Sequence, residues 1–199
     1  MTVAILFARA DSNYKRLPDC DVWDAERDAR RWKGGCSVVA HPPCRAWGRL
    51  RHFARPRPDE KALGLWAADQ VRKWGGVLEH PAYSDAWAAF DLPRPMRSGG
   101  WSRGSCGGWS AHVEQGRYGH PAKKATWLYA FGTELPALKW GYVAYQQSSA
   151  LVSWCGNHVK SNEKRPRVGK AAAARSPIAF RDALISMARS VRRQKEVMM

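Results

Sequence analysis

The sequence predicts an α/β fold built on one mostly parallel sheet, and three observations carry that expectation. The runs from Thr2 to Ala8 and from Cys36 to Ala40 are short, apolar and bounded by polar or glycine residues, the pattern of strands buried on both faces. Two expected strands end in the same way, at His41-Pro42-Pro43 and at Glu79-His80-Pro81, where proline cannot continue a ladder. Between those ends lies one long apolar stripe at helical spacing, so the strands it connects are expected to be adjacent and parallel.

Thr2 to Ala8 is the first strand, and the polar stretch Arg9 to Asp19 is a loop. Asp21 to Trp23 makes a short second strand, followed by a charged helix over Ala25 to Trp32 that Gly34-Gly35 ends. The third strand runs into His41, the two prolines and Cys44. Gly48 to Pro58 is a basic loop interrupted by Phe53. Pro58-Asp59-Glu60 opens a helix with its acids in the first turn, where the helix dipole favours them. Its stripe of Ala62, Leu63, Leu65, Trp66, Ala67, Val71 and Trp74 reads as core packing. Val77-Leu78 is the next strand, which places Cys44 and Glu79 side by side.

Asp85 to Phe90 has the length of one or two helical turns. Pro93 to Ser110 has no periodicity and reads as a long mobile loop. Strand pieces follow at Val113 and at Thr126 to Tyr129, joined by a turn through Gly119-His120-Pro121, with further strands at Leu138 to Tyr145 and Leu151 to Trp154. Asn157 to Arg175 is basic and poor in apolar residues. Ser176 caps a last helix that starts at Pro177, presents Ile178, Phe180, Leu184, Ile185, Ala188 and Val191, and ends near Arg192 to Lys195. The expected organisation is a compact, Rossmann-like α/β domain over residues 1–156 with a mobile segment at 93–110. A basic linker or arm (157–175) and a C-terminal amphipathic helix (176–199) complete it.

Lys and Arg number 33 against 17 Asp and Glu, a net charge of +16, and there are 11 tryptophans. Such a balance points to a polyanionic partner, nucleic acid above all. No run of about 18 apolar residues is present, so no transmembrane helix is expected. The apolar start lacks the basic flank and cleavage site of a signal peptide. The five cysteines, Cys20, Cys36, Cys44, Cys106 and Cys155, form no CxxC pair, which argues against a zinc site or a disulfide framework and for a reducing compartment. The cytoplasm is the expected location, that of the host cell if the chain is phage-encoded. No metal is expected.

A thiol at a strand end beside a carboxyl group suits addition to a pyrimidine, which needs a nucleophile and an acid for the ring nitrogen. Cys44 and Glu79 are therefore the candidate catalytic pair, with Arg45 and a protonated His41 expected to favour the thiolate. The plainer alternatives are a Pro-Pro turn with an incidental buried cysteine, and a glutamate that pairs with one of the many arginines. Arg97, Trp101 and Arg103 suit phosphates and unpaired bases.

At these residues the chain resembles the DNA cytosine carbon-5 methyltransferases. Val39-Ala40-His41-Pro42-Pro43-Cys44 is similar to their Pro-Cys loop, and Leu78-Glu79-His80-Pro81 to their Glu-Asn-Val motif in a form with proline last. Tyr118-Gly119, followed by Lys124 and Thr126, resembles a Tyr-Gly-x-x-x-x-Lys-x-Thr stretch of small phage-encoded methylase-like proteins. The resemblance covers roughly Val38 to Tyr129. It implies a methyltransferase-like fold in which Cys44 adds to carbon 6 of a flipped cytosine and Glu79 contacts nitrogen 3. Substrate and DNA contacts would fall to His41, Pro43, Arg45, Arg49, Arg51, His80, Arg97, Trp101, Arg103, Tyr118, Lys123, Lys124 and Thr126, the last three by phosphate contact or by bracing the site. The cofactor it implies, S-adenosylmethionine, would lie over Phe7, Ala8, Asp11, Ser12 and Asn13, with Asp24 toward its ribose. No glycine stands before Gly34, where such a cofactor turn is usually glycine-rich. Two other functions stay open: an inert DNA-binding protein on this scaffold, and a different pyrimidine modification by the same Cys/Glu pair.

Overall fold

A computed structural model describes residues 1–105, 107–144, 147–152 and 164–191. Its centre is a seven-stranded sheet in the order β2-β1-β3-β4-β7-β6-β5. The strands are β1 (Val3–Leu6), β2 (Cys20–Trp23), β3 (Ser37–Ala40), β4 (Gly76–Pro81), β5 (Trp101–Arg103), β6 (Trp109–Glu114) and β7 (Ala125–Phe131). β2, β1, β3 and β4 are parallel, and β7, β6 and β5 join in antiparallel fashion. Since β6 opposes β7 and β7 opposes β4, five of the seven strands point the same way. The fold is thus α/β around a large, mostly parallel sheet.

Alternation along each strand explains why the runs are apolar throughout. Val3, Ile5, Val39, Val77 and Leu128 face one side, where they meet Phe180, Leu184, Ile185 and Ala188 of the last helix, α4 (Ile178–Arg189). Ala4, Leu6, Val38, Ala40, Leu78 and Trp127 face the other, where they meet Ala67, Ala68 and Val71 of α1 (Glu60–Trp74). Neither face is left to water, as expected of central parallel strands. A short helix, α2 (Ala86–Ala89), adds Trp87 to the α1 side. Gly76 opens β4 at φ 133°, and a Cβ there would lie 2.0 Å from the Val38 carbonyl oxygen, so only glycine lets β4 start this close to β3.

Several expectations are corrected. Ala25 to Trp32 is no α-helix: Asp24 accepts from the Glu26 and Arg27 backbone N–H groups, forming a turn, and only the 3-10 turn Ala29–Arg31 follows. The segment 93–110 is not one long loop, because Trp101–Arg103 pairs with Trp109–Ala111 as a hairpin at the sheet edge. Trp101 donates its indole N–H to the Pro136 carbonyl and packs on Trp140, contacts distant in sequence that no local pattern announces. Leu138 to Ala144 is irregular instead of a strand, held partly by Lys139 N–H donating to the Tyr118 hydroxyl. The stretch 164–175 is ordered as β9 (Arg167–Val168), paired in parallel with β8 (Leu151–Val152), and α3 (Lys170–Ala174). The cap of α4 is Pro177 rather than Ser176. Tyr145, Ser153, Trp154, residues 157–163 of the expected basic arm and Arg192 to Lys195 lie outside the described residues.

The last helix is part of the core, not an appendage. Phe180 has no exposed surface and meets Tyr118 edge-on at 5.1 Å. Phe180→Ala should therefore lower stability by roughly 3–5 kcal/mol in urea denaturation; a loss near zero would mean that α4 does not seal the sheet.

Candidate active site at the strand ends

Backbone pairing sets the site. His41 N–H donates to the Leu6 carbonyl at 2.9 Å, which carries β3 one residue past its last paired strand position. Pro42 and Pro43 have no N–H to offer, so the chain leaves the sheet. Cys44 then begins a tight turn, its carbonyl accepting from Trp47 N–H at 3.1 Å and Gly48 N–H at 2.8 Å. On the neighbouring strand Ala40 is level with Leu78, so His41 and Glu79 follow at the same height.

The side chains confirm the level. His41 Nδ1–H donates to Glu79 Oε2 at 3.0 Å, and His41 Nε2 meets the Tyr14 hydroxyl at 3.1 Å. Gln115 Nε2 donates to Glu79 Oε1 at 3.1 Å and to Thr126 Oγ1 at 2.9 Å. Both carboxylate oxygens are held. Burial alone would push the Glu79 carboxyl up, but the His41 hydrogen bond and the electrostatic effect of His41 and Lys124 outweigh it and hold it well below the carboxylate range. Burial raises the Cys44 thiol, and the Glu79 charge raises it further. The resting pair is a thiol beside a carboxylate.

This reverses the expected thiolate. Arg45 is turned to an ion pair with buried Glu60, and its effect on Cys44 is smaller than those of burial and Glu79. Lys124 is half-buried near both groups, its ammonium donating to the Ala174 and Arg175 carbonyls at 3.0 Å each, while burial lowers its pKa.

The other expected contacts divide. Pro43 stands in the Cys44 loop and is half-buried. Arg49, Arg97 and Lys123 converge on a pocket of about 610 Å³. Arg51 is paired with Asp85 at 2.7 Å, and Arg103 lies over the Trp109 ring on the hairpin. Thr126 is buried and braces Gln115, the second of its two expected roles. Two expected contacts, Tyr118 and His80, are corrected, because each side chain is buried; Tyr118 packs on Phe180. His80 packs its ring 6.3 Å from that of Trp87, and burial brings its pKa down to about 4, so the ring is neutral. Tyr14 and Gln115 were not legible as site residues: a tyrosine in a polar loop and a glutamine at a strand end carry no motif.

The residues expected around a methyl donor are bonded within the chain. Phe7 turns after β1 at φ 61° with its ring edge-on to Trp66, and Ala8 N–H donates to the Trp23 carbonyl. Asp11 pairs with Arg9 and Arg175, Ser12 Oγ caps the 3-10 turn that follows, and Asn13 bonds Ser176 and Arg181. Asp24 accepts from Lys15 at 2.6 Å. The strand order reverses between β1 and β3, where open α/β sheets bind ligands, and buried Tyr14 reaches His41 at the β3 end. As they stand, these residues do not fit S-adenosylmethionine. Among the described residues no cluster of His, Cys, Asp and Glu could hold a metal ion, and no helix is long and apolar enough to cross a membrane.

Comparison with known proteins leaves the residues to speak for themselves: no family model matches the chain, and neither do curated proteins or solved structures.

The electrostatics are testable by alkylation. Iodoacetamide labelling of Cys44 at neutral pH, followed by peptide mass spectrometry, should quicken about two- to tenfold in Glu79→Gln and slow in Lys124→Met, since one pKa unit is a factor of about ten in thiolate. A slower reaction in Glu79→Gln would contradict the assigned charges.

Proposed function

We propose that this chain is a DNA-modifying enzyme that acts on cytosine through a covalent adduct at Cys44, on a Rossmann-like scaffold of the methyltransferase type. The observation that carries the reading is the Cys44 thiol beside an ionised, doubly hydrogen-bonded Glu79 at the ends of adjacent parallel strands. In this reading the thiol proton passes to the Glu79 carboxylate as sulfur attacks carbon 6 of the ring. Glu79 delivers that proton to nitrogen 3, and carbon 5 becomes an electron-rich enamine carbon. His41 and Gln115 fix the carboxylate for both transfers. The net charge of +16 supports a nucleic-acid substrate, and a base must leave the stack to reach such a site.

Methyl transfer to carbon 5 is the outcome that the family resemblance implies. The internally bonded turn after β1 favours two other readings: a different pyrimidine modification by the same pair, or an inert DNA-binding protein that keeps the scaffold.

Exchange of the carbon-5 hydrogen of cytosine with solvent needs only the adduct, so it tests the pair without a methyl donor. In deuterated water, DNA incubated with the wild-type chain should gain deuterium at carbon 5. Cys44→Ala should abolish the uptake, and Glu79→Gln should slow it by about 100-fold or more. DNA that binds without exchange would assign the inert reading. Calorimetric titration with S-adenosylmethionine, DNA present, separates methyl transfer (heat of binding) from another modification (none).

A further inference from the structure

A pocket on the α1 side of the sheet ends contains a buried group that the proposed chemistry does not use. Its walls include Arg49, Tyr83, Arg97, Glu114, Lys123 and Tyr142, and neither Cys44 nor Glu79 belongs to them. Glu114 ends β6 and faces the α1 side of the sheet, together with His112, while Gln115 next to it reaches Glu79. The side chain is 1% exposed, and Oε2 has no hydrogen-bond partner among the described residues. His112 does not satisfy it: Trp127 donates to His112 Nδ1 at 3.1 Å, so the proton is on Nε2, which stands 3.7 Å from Oε1. A buried carboxylate oxygen without a donor is costly, and native proteins keep few of them. A ligand N–H entering the pocket would supply the missing donor.

The rest of the pocket fits a nucleotide around that donor. Tyr83 and Tyr142 add two aromatic rings to its walls. Arg49 lies over the Tyr83 ring and Arg97 over the Tyr142 ring, and neither has a carboxylate partner among the described residues. Lys123 donates to the Tyr142 hydroxyl at 2.6 Å and adds a third cation. Three positive side chains can meet a phosphate backbone, and among the described lining residues Glu114 alone is acidic. A carboxylate accepts from the exocyclic amine of a base but repels a carbonyl edge.

We propose that this pocket takes a second nucleobase, next to the target cytosine, and that Glu114 selects a base bearing an exocyclic amine. The proposal rests on the reading of the chain as DNA-modifying. It makes Glu114 a specificity-determining residue in a site separate from the catalytic pair.

Fluorescence anisotropy with short labelled DNA tests it. Oligonucleotides carry one target cytosine, single-stranded or opposite an abasic site. Each neighbouring position holds in turn adenine against purine, cytosine against uracil, and guanine against hypoxanthine, pairs that differ in the amine. The wild-type chain should prefer the amine at one neighbouring position by about tenfold or more, and Glu114→Gln should erase that preference. Tyr142→Ala, a change at a partly exposed ring, should lower the same preference and serves if Glu114→Gln does not fold. DNA binding without any amine preference would overturn the pocket assignment and leave the DNA reading in place. A preference that survives in the folded variants would overturn the role of Glu114. No DNA binding of any kind would overturn both.

Discussion

A buried carboxylate must be held by donors or give up its charge, and Glu79 is the place where this chain meets that constraint. His41 from the end of β3 holds one oxygen, and Gln115 from beyond β6 holds the other. Each donor is itself anchored, His41 by the Tyr14 hydroxyl and Gln115 by Thr126 on β7. One charge therefore ties together the loop after β1, the ends of β3, β4 and β6, and the start of β7. It also fixes the state of Cys44, because a fixed negative charge nearby keeps the sulfur protonated until a proton can move. A resting thiol protects the nucleophile, and the same carboxylate can accept its proton when a ring is in place.

The geometry rests in turn on close backbone approach. Gly76 lets β4 begin against β3, and the pairing of Ala40 with Leu78 carries that contact to the site. The prolines after His41 then release the chain into the Cys44 turn. On the opposite side of the sheet ends, the C-terminal segment reaches over the β1 loop through Arg175 to Asp11, Ser176 to Asn13 and Arg181 to Asn13. Those contacts occupy the polar groups of the crevice where a sheet of this order collects ligands. The two halves of the edge thus differ: the pyrimidine side is built around an ionised acid and a thiol, and the β1 side is closed by the chain's own bonds.

Much of this was legible from local pattern. The apolar runs of β1 and β3, the stripe of α1, and the repeated strand-then-proline ending identified the central strands and placed Cys44 beside Glu79. The charged stretch at Ala25 to Trp32 misled because Asp24 bonds the backbone locally, a competition that helical spacing does not reveal. The Gly- and Trp-rich stretch from Pro93 to Ser110 read as a loop because its hairpin is stabilised by Pro136 and Trp140, far along the chain. Tyr118 and His80 carried motif-like signals for substrate contact, yet both are buried.

By itself, the sequence determined the α/β class, the parallel neighbours β3 and β4, and the two residues at their ends, since strand periodicity and proline breaks are local properties of a chain. Only the tertiary structure decided the charge on each. Burial, the His41 and Gln115 bonds and the distance to Lys124 are long-range facts, and they make Cys44 a thiol where its neighbours in sequence suggested a thiolate. The unsatisfied Glu114 belongs to the same class: whether a glutamate at a strand end meets water, a partner or an open pocket is settled by what folds around it.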